Sequence, residues 1–200
     1  MRQLLHIKTS VNGNNGESAQ LAERYITQWK QKYPQGEVVE RDLIAQPLAH
    51  MDGAVVGAFF TPVEQRSEEQ QVIAEQSEAL IAELKAADEV VIGLPLYNFG
   101  VPSQLKTYFD YLARAGLTFK YTETGPVGLI EDKPVRLLAT RGGMLKDAGL
   151  DYQVPFTKQF LAFIGLNSVD VVYAEGLSMG DIKDSALATA RGEVDALLSV

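Results

Sequence analysis

The chain has 200 residues, of which 46% are hydrophobic and 22% are charged, a balance typical of a soluble globular protein with a substantial core. Its formal net charge of −8 argues against a nucleic-acid partner, because duplex binding depends on clusters of Lys and Arg. The absence of cysteine excludes disulfides, thiol catalysis and iron–sulfur ligation by this chain.

Hydrophobic periodicity predicts alternating strands and helices along the chain. Five apolar runs predict strands at Leu4–Thr9, around Val38-Val39, at Val90–Leu94, at Val135–Thr140 and at Val169–Ala174. Helical spacing predicts a helix with Leu21, Ala22, Tyr25, Ile26 and Trp29 on one stripe, and further helices over Val63–Ala86, from Pro102-Ser103 onward, over Pro155–Ile164 and over Ile182–Leu198. Two segments do not fit this alternation, namely a long connection at Leu43–Phe60 and a hairpin-like excursion at Leu117–Ile130.

Five strands that alternate with five helices predict an α/β fold with a doubly wound parallel sheet. We expect the flavodoxin-like strand order 2-1-3-4-5, with helices on both faces of the sheet. There are no internal repeats and no domain boundary, so the sequence predicts one domain over residues 1–200. Its apolar runs are too short to cross a membrane and its start is too polar for a signal peptide, so we expect a cytoplasmic protein with no membrane partner.

In that fold, a crevice opens where the first and third strands diverge, and three loops meet there. The polar loop Thr9–Ser18 precedes a helix N-terminus, whose amides favour a phosphate. The loop Pro95–Gly100 contains one tyrosine, one amide side chain and one phenylalanine, and Thr140–Gly143 contains two glycines that allow close backbone approach. Taken alone, each of the first two loops would equally suit an ordinary turn, and Arg141-Gly142-Gly143 is more often one, but their convergence favours a mononucleotide, and flavin mononucleotide (FMN) best.

Other chemistries lack their motifs. The chain has neither a G-x-x-x-x-G-K-[ST] phosphate loop nor a G-x-G-x-x-G dinucleotide motif. The segment Gly176-Leu177-Ser178-Met179-Gly180 matches G-x-S-x-G, but a hydrolase of that type needs a later histidine, and His6 and His50 both lie upstream. No zinc-ligand spacing is present, so no metal site is expected. His6 lies within a predicted strand, and we interpret it as a packed side chain.

Several motifs together resemble the FMN-dependent NADH-azoreductases, a branch of the flavodoxin-like quinone reductases. The resemblance covers nearly the whole chain. Its marks are Pro95-Leu96-Tyr97-Asn98-Phe99, Ser103-Gln104-Leu105-Lys106, Ala113-Arg114-Ala115-Gly116, Phe119-Lys120-Tyr121-Thr122, Arg141-Gly142-Gly143 and Phe160-Leu161-Ala162-Phe163-Ile164-Gly165. The family implies a homodimer with one FMN per subunit, and a flavin near the subunit interface.

The resemblance also implies a role for each matching position. The family's phosphate loop corresponds to Ser10, Gly16, Glu17 and Ser18. The turn that holds the isoalloxazine ring corresponds to Leu96, Tyr97, Asn98 and Phe99, and the loop along the polar edge of the flavin corresponds to Thr140, Arg141, Gly142 and Gly143. The substrate pocket is expected at Phe119, Tyr121 and Phe163, and these three aromatics would equally suit core or interface packing.

The phosphate loop departs from the family pattern. Gly16 stands where the family often has a serine, and Glu17 brings a carboxylate near a phosphate dianion. We expect the Glu17 side chain to point into solvent and the Gly16 amide to bind the phosphate. The effect of these two residues on FMN affinity does not follow from the sequence.

The family implies an enzyme that transfers electrons from NADH or NADPH to quinones and azo compounds in ping-pong order. The flavin supplies the chemistry, and no protein residue is expected to be catalytic. The Gly142 and Gly143 amides are expected to hydrogen-bond the electron-rich edge of the reduced flavin. A flavodoxin-like electron carrier, which does not oxidise NAD(P)H directly, is the alternative. The sequence chooses neither between NADH and NADPH nor among acceptors.

Overall fold

The computed structural model describes residues 1–198, and its centre is a parallel sheet. The five strands of this sheet are β1 (Gln3–Lys8), β2 (Glu37–Asp42), β3 (Glu89–Pro95), β6 (Val135–Thr140) and β7 (Val169–Ala174). They pair in the order β2-β1-β3-β6-β7, which is the predicted order 2-1-3-4-5 of a flavodoxin-like sheet. The predicted excursion is an antiparallel hairpin formed by β4 (Phe119–Thr122) and β5 (Gly125–Gly128).

Helices cover both faces of the sheet, as predicted. They are α1 (Glu17–Lys32), α2 (Gly53–Phe60), α3 (Glu68–Ala86), α4 (Ser103–Leu112), α5 (Gln153–Ile164) and α6 (Ile182–Ala196). Side chains from α1 and α6 form one core with the sheet, and side chains from α3, α4 and α5 form another on the opposite face. Within residues 1–198, no helix combines the length and apolarity needed to cross a membrane.

The helices differ from the sequence prediction in two main respects, namely one additional helix and a later start of the long third helix. The connection at Leu43–Phe60 contains α2, whose N-cap Asp52 accepts hydrogen bonds from the Ala54 and Val55 amides at 2.9 Å. The long third helix begins only at Glu68, where Ser67 and Gln70 form a reciprocal capping box. Both caps are local signals for a helix start, which hydrophobic periodicity alone does not detect.

The sheet is buried on both faces because successive strand residues point to opposite sides. In β3, Val90 and Ile92 belong to the core beneath α3, α4 and α5, whereas Val91 belongs to the core beneath α1 and α6. Leu137 and Leu138 divide between the same two cores. This double burial explains why the inner strands are continuous apolar runs.

A buried carboxylate lies at the amino end of β3, at the sheet edge opposite the predicted site. Glu89 is 2% exposed and accepts hydrogen bonds from Trp29 at 3.0 Å, from Arg136 at 3.2 Å and from the Tyr25 hydroxyl. Burial and this contact raise the pKa of Tyr25, so the phenol stays protonated and donates. The cluster joins α1, β3 and β6 through one negative charge.

Removing this charge should destabilise the fold strongly. We expect Glu89→Ala to lower the free energy of unfolding by about 3–5 kcal/mol, because buried donors lose their common acceptor. Arg24→Ala, which breaks an exposed ion pair with Asp195, should leave the free energy of unfolding nearly unchanged, because solvent screens such a pair. Guanidinium denaturation of the cofactor-free protein measures both changes, and equal losses would contradict this role of Glu89.

Candidate cofactor site

The three predicted loops border one cleft of about 250 Å³ at the carboxyl edge of the sheet. The predicted residues that line it are Ser10, Gly16, Glu17, Ser18, Leu96, Tyr97, Thr140, Arg141 and Gly142. Asn98, Phe99 and Gly143 are neighbours of these residues along the chain but do not line the cleft itself. The edge therefore brings together segments that are distant in sequence.

The first loop offers main-chain donors at the start of α1. The first backbone hydrogen bond of the helix runs from the Gln20 amide to the Gly16 carbonyl, so the amides of residues 17–19 have no acceptor within the helix. No side chain caps this end. The Ser18 hydroxyl is buried and has no hydrogen-bond partner among residues 1–198. These donors and the helix dipole form an arrangement that suits a phosphate.

The close approach of Ser10 explains sterically why position 16 is a glycine. A Cβ built on Gly16 would lie 2.1 Å from the Ser10 hydroxyl oxygen, so a serine here would require Ser10 to move. The Gly16 amide donates to the Gly13 carbonyl at 3.2 Å, within a short 3₁₀ turn over Gly13–Asn15. The expectation that this amide binds phosphate is therefore not supported by its geometry, and the amides of residues 17–19 are better available.

Glu17 does not point freely into solvent, contrary to the expectation from its sequence position. Its carboxylate forms an ion pair with Lys183 of α6 at 2.8 Å. The hydrogen bond to Glu17 raises the pKa of Lys183, which keeps the ammonium charged. Lys183 thereby offsets the negative charge that Glu17 places beside the cleft.

In the third loop the backbone carbonyls are hydrogen-bonded within the protein, whereas two backbone amides are not. The carbonyls of residues 140–143 accept from the amides of Leu96 and of residues 176–178 at 2.9–3.2 Å. In the described part of the chain, the Gly142 and Gly143 amides donate to no protein acceptor. An added Cβ on Gly142 would lie 2.7 Å from the Ser178 hydroxyl oxygen. The loop can therefore donate two N–H groups to a ligand edge, and a larger residue at 142 would disturb it.

The Arg141 side chain has a structural role. Its guanidinium is fully buried, lies 2.7 Å from an Asp151 carboxylate oxygen and donates to Glu175 at 3.2 Å. The same Glu175 oxygen accepts from the Leu145 and Lys146 amides at 2.9 Å. Burial acts to raise the pKa of Asp151, but the hydrogen bond from Arg141 and backbone donors lower it below its usual value. Arg141 thus organises the loop, and its backbone rather than its side chain is available to a ligand.

The second loop is a strained tight turn. The amides of Tyr97 and Gly100 donate to each other's carbonyls at 3.2 and 3.0 Å, and the two residues between them have φ values of 48° and 66°. These left-handed values suit Asn98 but cost Phe99 about 1–3 kcal/mol. The Phe99 side chain is 65% exposed beyond the turn. The Tyr97 hydroxyl accepts from the Val11 amide at 3.1 Å, which ties this turn to the first loop.

A larger cavity of about 720 Å³ lies beside Phe99. Its wall is mostly apolar and is formed by His50, Met51, Phe99, Gly100, Val101, Ser103, Lys106, Thr107, Asp110, Tyr152 and Phe156. The predicted pocket residues Phe119, Tyr121 and Phe163 line neither this cavity nor the cleft. They form a separate aromatic cluster, in which the Phe119 ring lies 4.3 Å from Phe163 and 5.4 Å from Tyr121.

The structure adds residues to the site that sequence reasoning missed. The cleft is also lined by Asn12, Pro95, Leu177 and Ser178. Ser178, the serine of the G-x-S-x-G match, thus lies in the wall of the cleft. The amide of Ser178 donates to the Gly142 carbonyl at 3.0 Å. The position of Gly176–Gly180 between the last strand and the last helix, at the same sheet edge, was the sequence signal that could have placed Ser178 in the cleft.

Comparison with known proteins agrees with this geometry. The profile of a family described by its flavodoxin-like fold matches residues 2–198. An FMN-dependent NADH:quinone oxidoreductase of Cellvibrio japonicus is 53% identical over 98% of each chain. A protein of the same name from Alcanivorax borkumensis is 53% identical over 96% of this chain and 97% of its own.

Solved structures give the same relationship. An azoreductase from Bacillus anthracis superposes with a TM-score of 0.91 at 30% identity, covering 98% of each chain. An FMN-dependent NADH-azoreductase of the same species, solved in complex with FMN, has a TM-score of 0.86 at 25% identity, with 98% of this chain and 99% of that chain covered. The chain thus belongs to the flavodoxin-like family of FMN-dependent NADH:quinone oxidoreductases and azoreductases.

Proposed function

We propose that this protein is an FMN-dependent oxidoreductase that passes electrons from NADH or NADPH to quinones and azo compounds. The observation that supports it most is the set of unpaired donors around one cleft. Within residues 1–198 these donors are the Glu17, Ser18 and Gly142 amides and the Ser18 hydroxyl of the cleft wall, with the amides of Ala19 and Gly143 next to them along the chain. A phosphate at one end and a polar ring edge at the other match the two kinds of acceptor that FMN presents.

Each part of the chain has a distinct role in this proposal. Residues 17–19 and Ser18 would hold the phosphate, with Ser10 and Gly16 shaping the loop. Leu96, Tyr97, Asn98 and Phe99 would hold the isoalloxazine ring. Bound FMN would supply the redox chemistry, by accepting a hydride and releasing electrons to the acceptor. Thr140 and the amides of Arg141, Gly142 and Gly143 would lie along the polar edge, where N–H dipoles stabilise negative charge that develops on reduction.

The large apolar cavity favours an enzyme over an electron carrier. It begins at Phe99, next to the proposed flavin turn, and its volume of about 720 Å³ can hold a ring system. A carrier that exchanges electrons only with protein partners has no need of such a cavity. Lys106 and Asp110 add opposite charges to its rim through an ion pair at 2.5 Å.

We further propose a homodimer in which the aromatic cluster of one subunit completes the site of its partner. Phe119, Tyr121 and Phe163 line neither the cofactor cleft nor the large apolar cavity of residues 1–198, yet the Tyr121 side chain is 76% exposed. Tyr152 in the cavity wall and Phe60 at the end of α2 are also exposed. Exposed apolar surface of this kind is typical of a protein–protein interface. A second copy therefore offers the route by which Tyr121, the exposed ring of the cluster, would reach the flavin, with Phe119 and Phe163 packed next to one another behind it.

The remaining expectations concern the chain's extent and location. The five parallel strands between Gln3 and Ala174 join one sheet, which supports a single FMN-binding domain over residues 1–200, although residues 199 and 200 lie outside the described part. A cytoplasmic location fits a protein that draws on the cellular NADH and NADPH pools.

The enzyme proposal predicts a yellow protein that oxidises NADH without a partner reductase. Purified protein supplied with FMN should reduce a quinone and an azo dye, and initial-rate plots against both substrates should be parallel, as in ping-pong kinetics. Stopped-flow and steady-state absorbance measure these steps. FMN uptake without NADH or NADPH oxidation would support the carrier instead, and a chain that takes up no FMN would refute both.

Gly142→Val should impair FMN binding more than folding. The added side chain would press on Ser178 and disturb the two free amides, so we expect the Kd for FMN to rise about tenfold or more, which is about 1.4 kcal/mol. Gly192→Val is the matched control, because a Cβ on this exposed position of α6 meets nothing within 4 Å. Fluorescence titration measures Kd and thermal unfolding measures stability. Unchanged FMN affinity in Gly142→Val would show that the loop does not contact the ring.

The dimer proposal predicts complementation between two defective subunits. Tyr121→Ala should lower kcat/KM about tenfold with FMN still bound, and Gly142→Val, whose affinity for FMN is weakened, should carry little FMN once free FMN has been removed. Co-expressed heterodimers, isolated with two affinity tags, contain one intact site, because the Gly142→Val chain supplies Tyr121 to its FMN-bound partner. Turnover per bound FMN should therefore recover towards the wild-type value. No recovery in a verified heterodimer would mean that Tyr121 acts within its own chain or not at all.

A further inference from the structure

Two polar side chains are buried behind the phosphate loop without partners. His6, in β1, is 3% exposed, and Ser18, in the first turn of α1, is 1% exposed. Among residues 1–198, the two ring nitrogens of His6 have no hydrogen-bond partner, and neither has the Ser18 hydroxyl. Buried polar groups are nearly always hydrogen-bonded, since an unsatisfied one costs about 1–3 kcal/mol.

Both side chains line the same small cavity. Its volume is about 10 Å³, close to the space that one water molecule needs. The cavity lies between the ends of β1 and β3 and the start of α1, and its other walls come from Lys8, Thr9, Ser10, Gly13, Ala19, Asp42 and Gly93. The Thr9 hydroxyl is already used as a donor to the Gly93 carbonyl at 2.6 Å, so His6 and Ser18 are the two partners available to a water in this cavity. The cavity thus offers the two to four polar partners that a buried water requires.

We propose that one buried water joins His6 to Ser18 and that His6 is thereby a positioning residue of the phosphate loop. The water would donate one hydrogen to a ring nitrogen of His6 and the other to the Ser18 oxygen. Ser18 lines both this cavity and the cofactor cleft. Because its oxygen accepts from the water, its own O–H is left to donate into the cleft, towards a phosphate oxygen.

The protonation state of His6 suits this role. Burial lowers the pKa of His6 to about 4, so the ring is neutral at pH 7 and one nitrogen is an acceptor. The charged groups that face it are Glu40, whose carboxylate lies 3.9 Å away, together with Lys8 and Asp42. Lys8 lies 3.6 Å from each of these two carboxylates, which neutralises part of their charge. A neutral imidazole can therefore accept from the water without a competing ion pair.

The main test compares affinity for FMN with affinity for riboflavin, which lacks the phosphate. His6→Leu has a similar volume but no acceptor, so the Kd for FMN should rise about three- to tenfold while the Kd for riboflavin stays unchanged. His6→Gln, which retains an acceptor, should stay within twofold of the wild type for both ligands. Fluorescence titration measures all four values. Wild-type FMN affinity in His6→Leu, or equal losses for both ligands, would overturn the proposal.

A double variant tests whether the two residues act through the same water. Ser18→Ala should also raise the Kd for FMN, and His6→Leu/Ser18→Ala should bind FMN within twofold of Ser18→Ala alone. If the fold-increase in the Kd for FMN of the double variant equals the product of the two single fold-increases, the residues act independently. In that case His6 would have no positioning role through Ser18.

The affinity tests rest on the proposed FMN site, so a third measurement uses the cofactor-free protein. Thermal unfolding of the wild type, both single variants and the double variant forms a double-mutant cycle. The loss of stability in the double variant should be smaller than the summed losses of the two single variants. Each single substitution leaves the remaining side chain without its hydrogen bond through the water, whereas the double variant leaves neither. Additive losses would overturn the bridge. A wild-type chain that binds no FMN would refute the proposed function and leave this cycle as the test of the bridge.

Discussion

The pairing of β3 between β1 and β6 is the constraint on which the site depends. Two hydrogen bonds continue these pairings beyond the strands. The Thr9 hydroxyl donates to the Gly93 carbonyl at 2.6 Å, and the Leu96 amide donates to the Thr140 carbonyl at 2.9 Å. The three loops therefore leave the sheet in fixed positions. A parallel sheet places its loops at one edge, and this edge is where such folds bind ligands.

The site is built largely from main-chain donors. The carbonyls of residues 140–143 accept from the amides of Leu96 and of the loop that precedes α6, and α1 begins without a side-chain cap. Side chains with full charges serve the scaffold instead. Arg141 is paired with Asp151 and Glu175 inside the loop, and Lys183 offsets Glu17 at the cleft. The buried Glu89 cluster lies at the opposite end of the sheet, so stability and ligand binding use separate groups.

The turn at Asn98 and Phe99 links the cofactor cleft to the large apolar cavity. Positive φ at Phe99 is costly, and the turn persists because Tyr97 and Gly100 pair with each other and the Tyr97 hydroxyl is tied to Val11. The strained residue displays an exposed ring at the cavity wall. Such strain is common at functional sites, and it agrees with the proposed role of this turn in holding the flavin next to the acceptor.

The sequence by itself determined the succession of strands and helices along the chain and the family, because apolar runs, helical stripes and loop motifs are local patterns. The strand order in the sheet was expected only as the common order of such folds. Sequence reasoning missed α2, since glycines at positions 53 and 57 weaken the helical pattern and packing against α3 compensates for them. Only the tertiary structure decided the pairing of Glu17 with Lys183, the burial of Arg141 and the separation of Phe119 from its own cleft. These features depend on which distant segments the sheet brings together, and no local pattern encodes that distance.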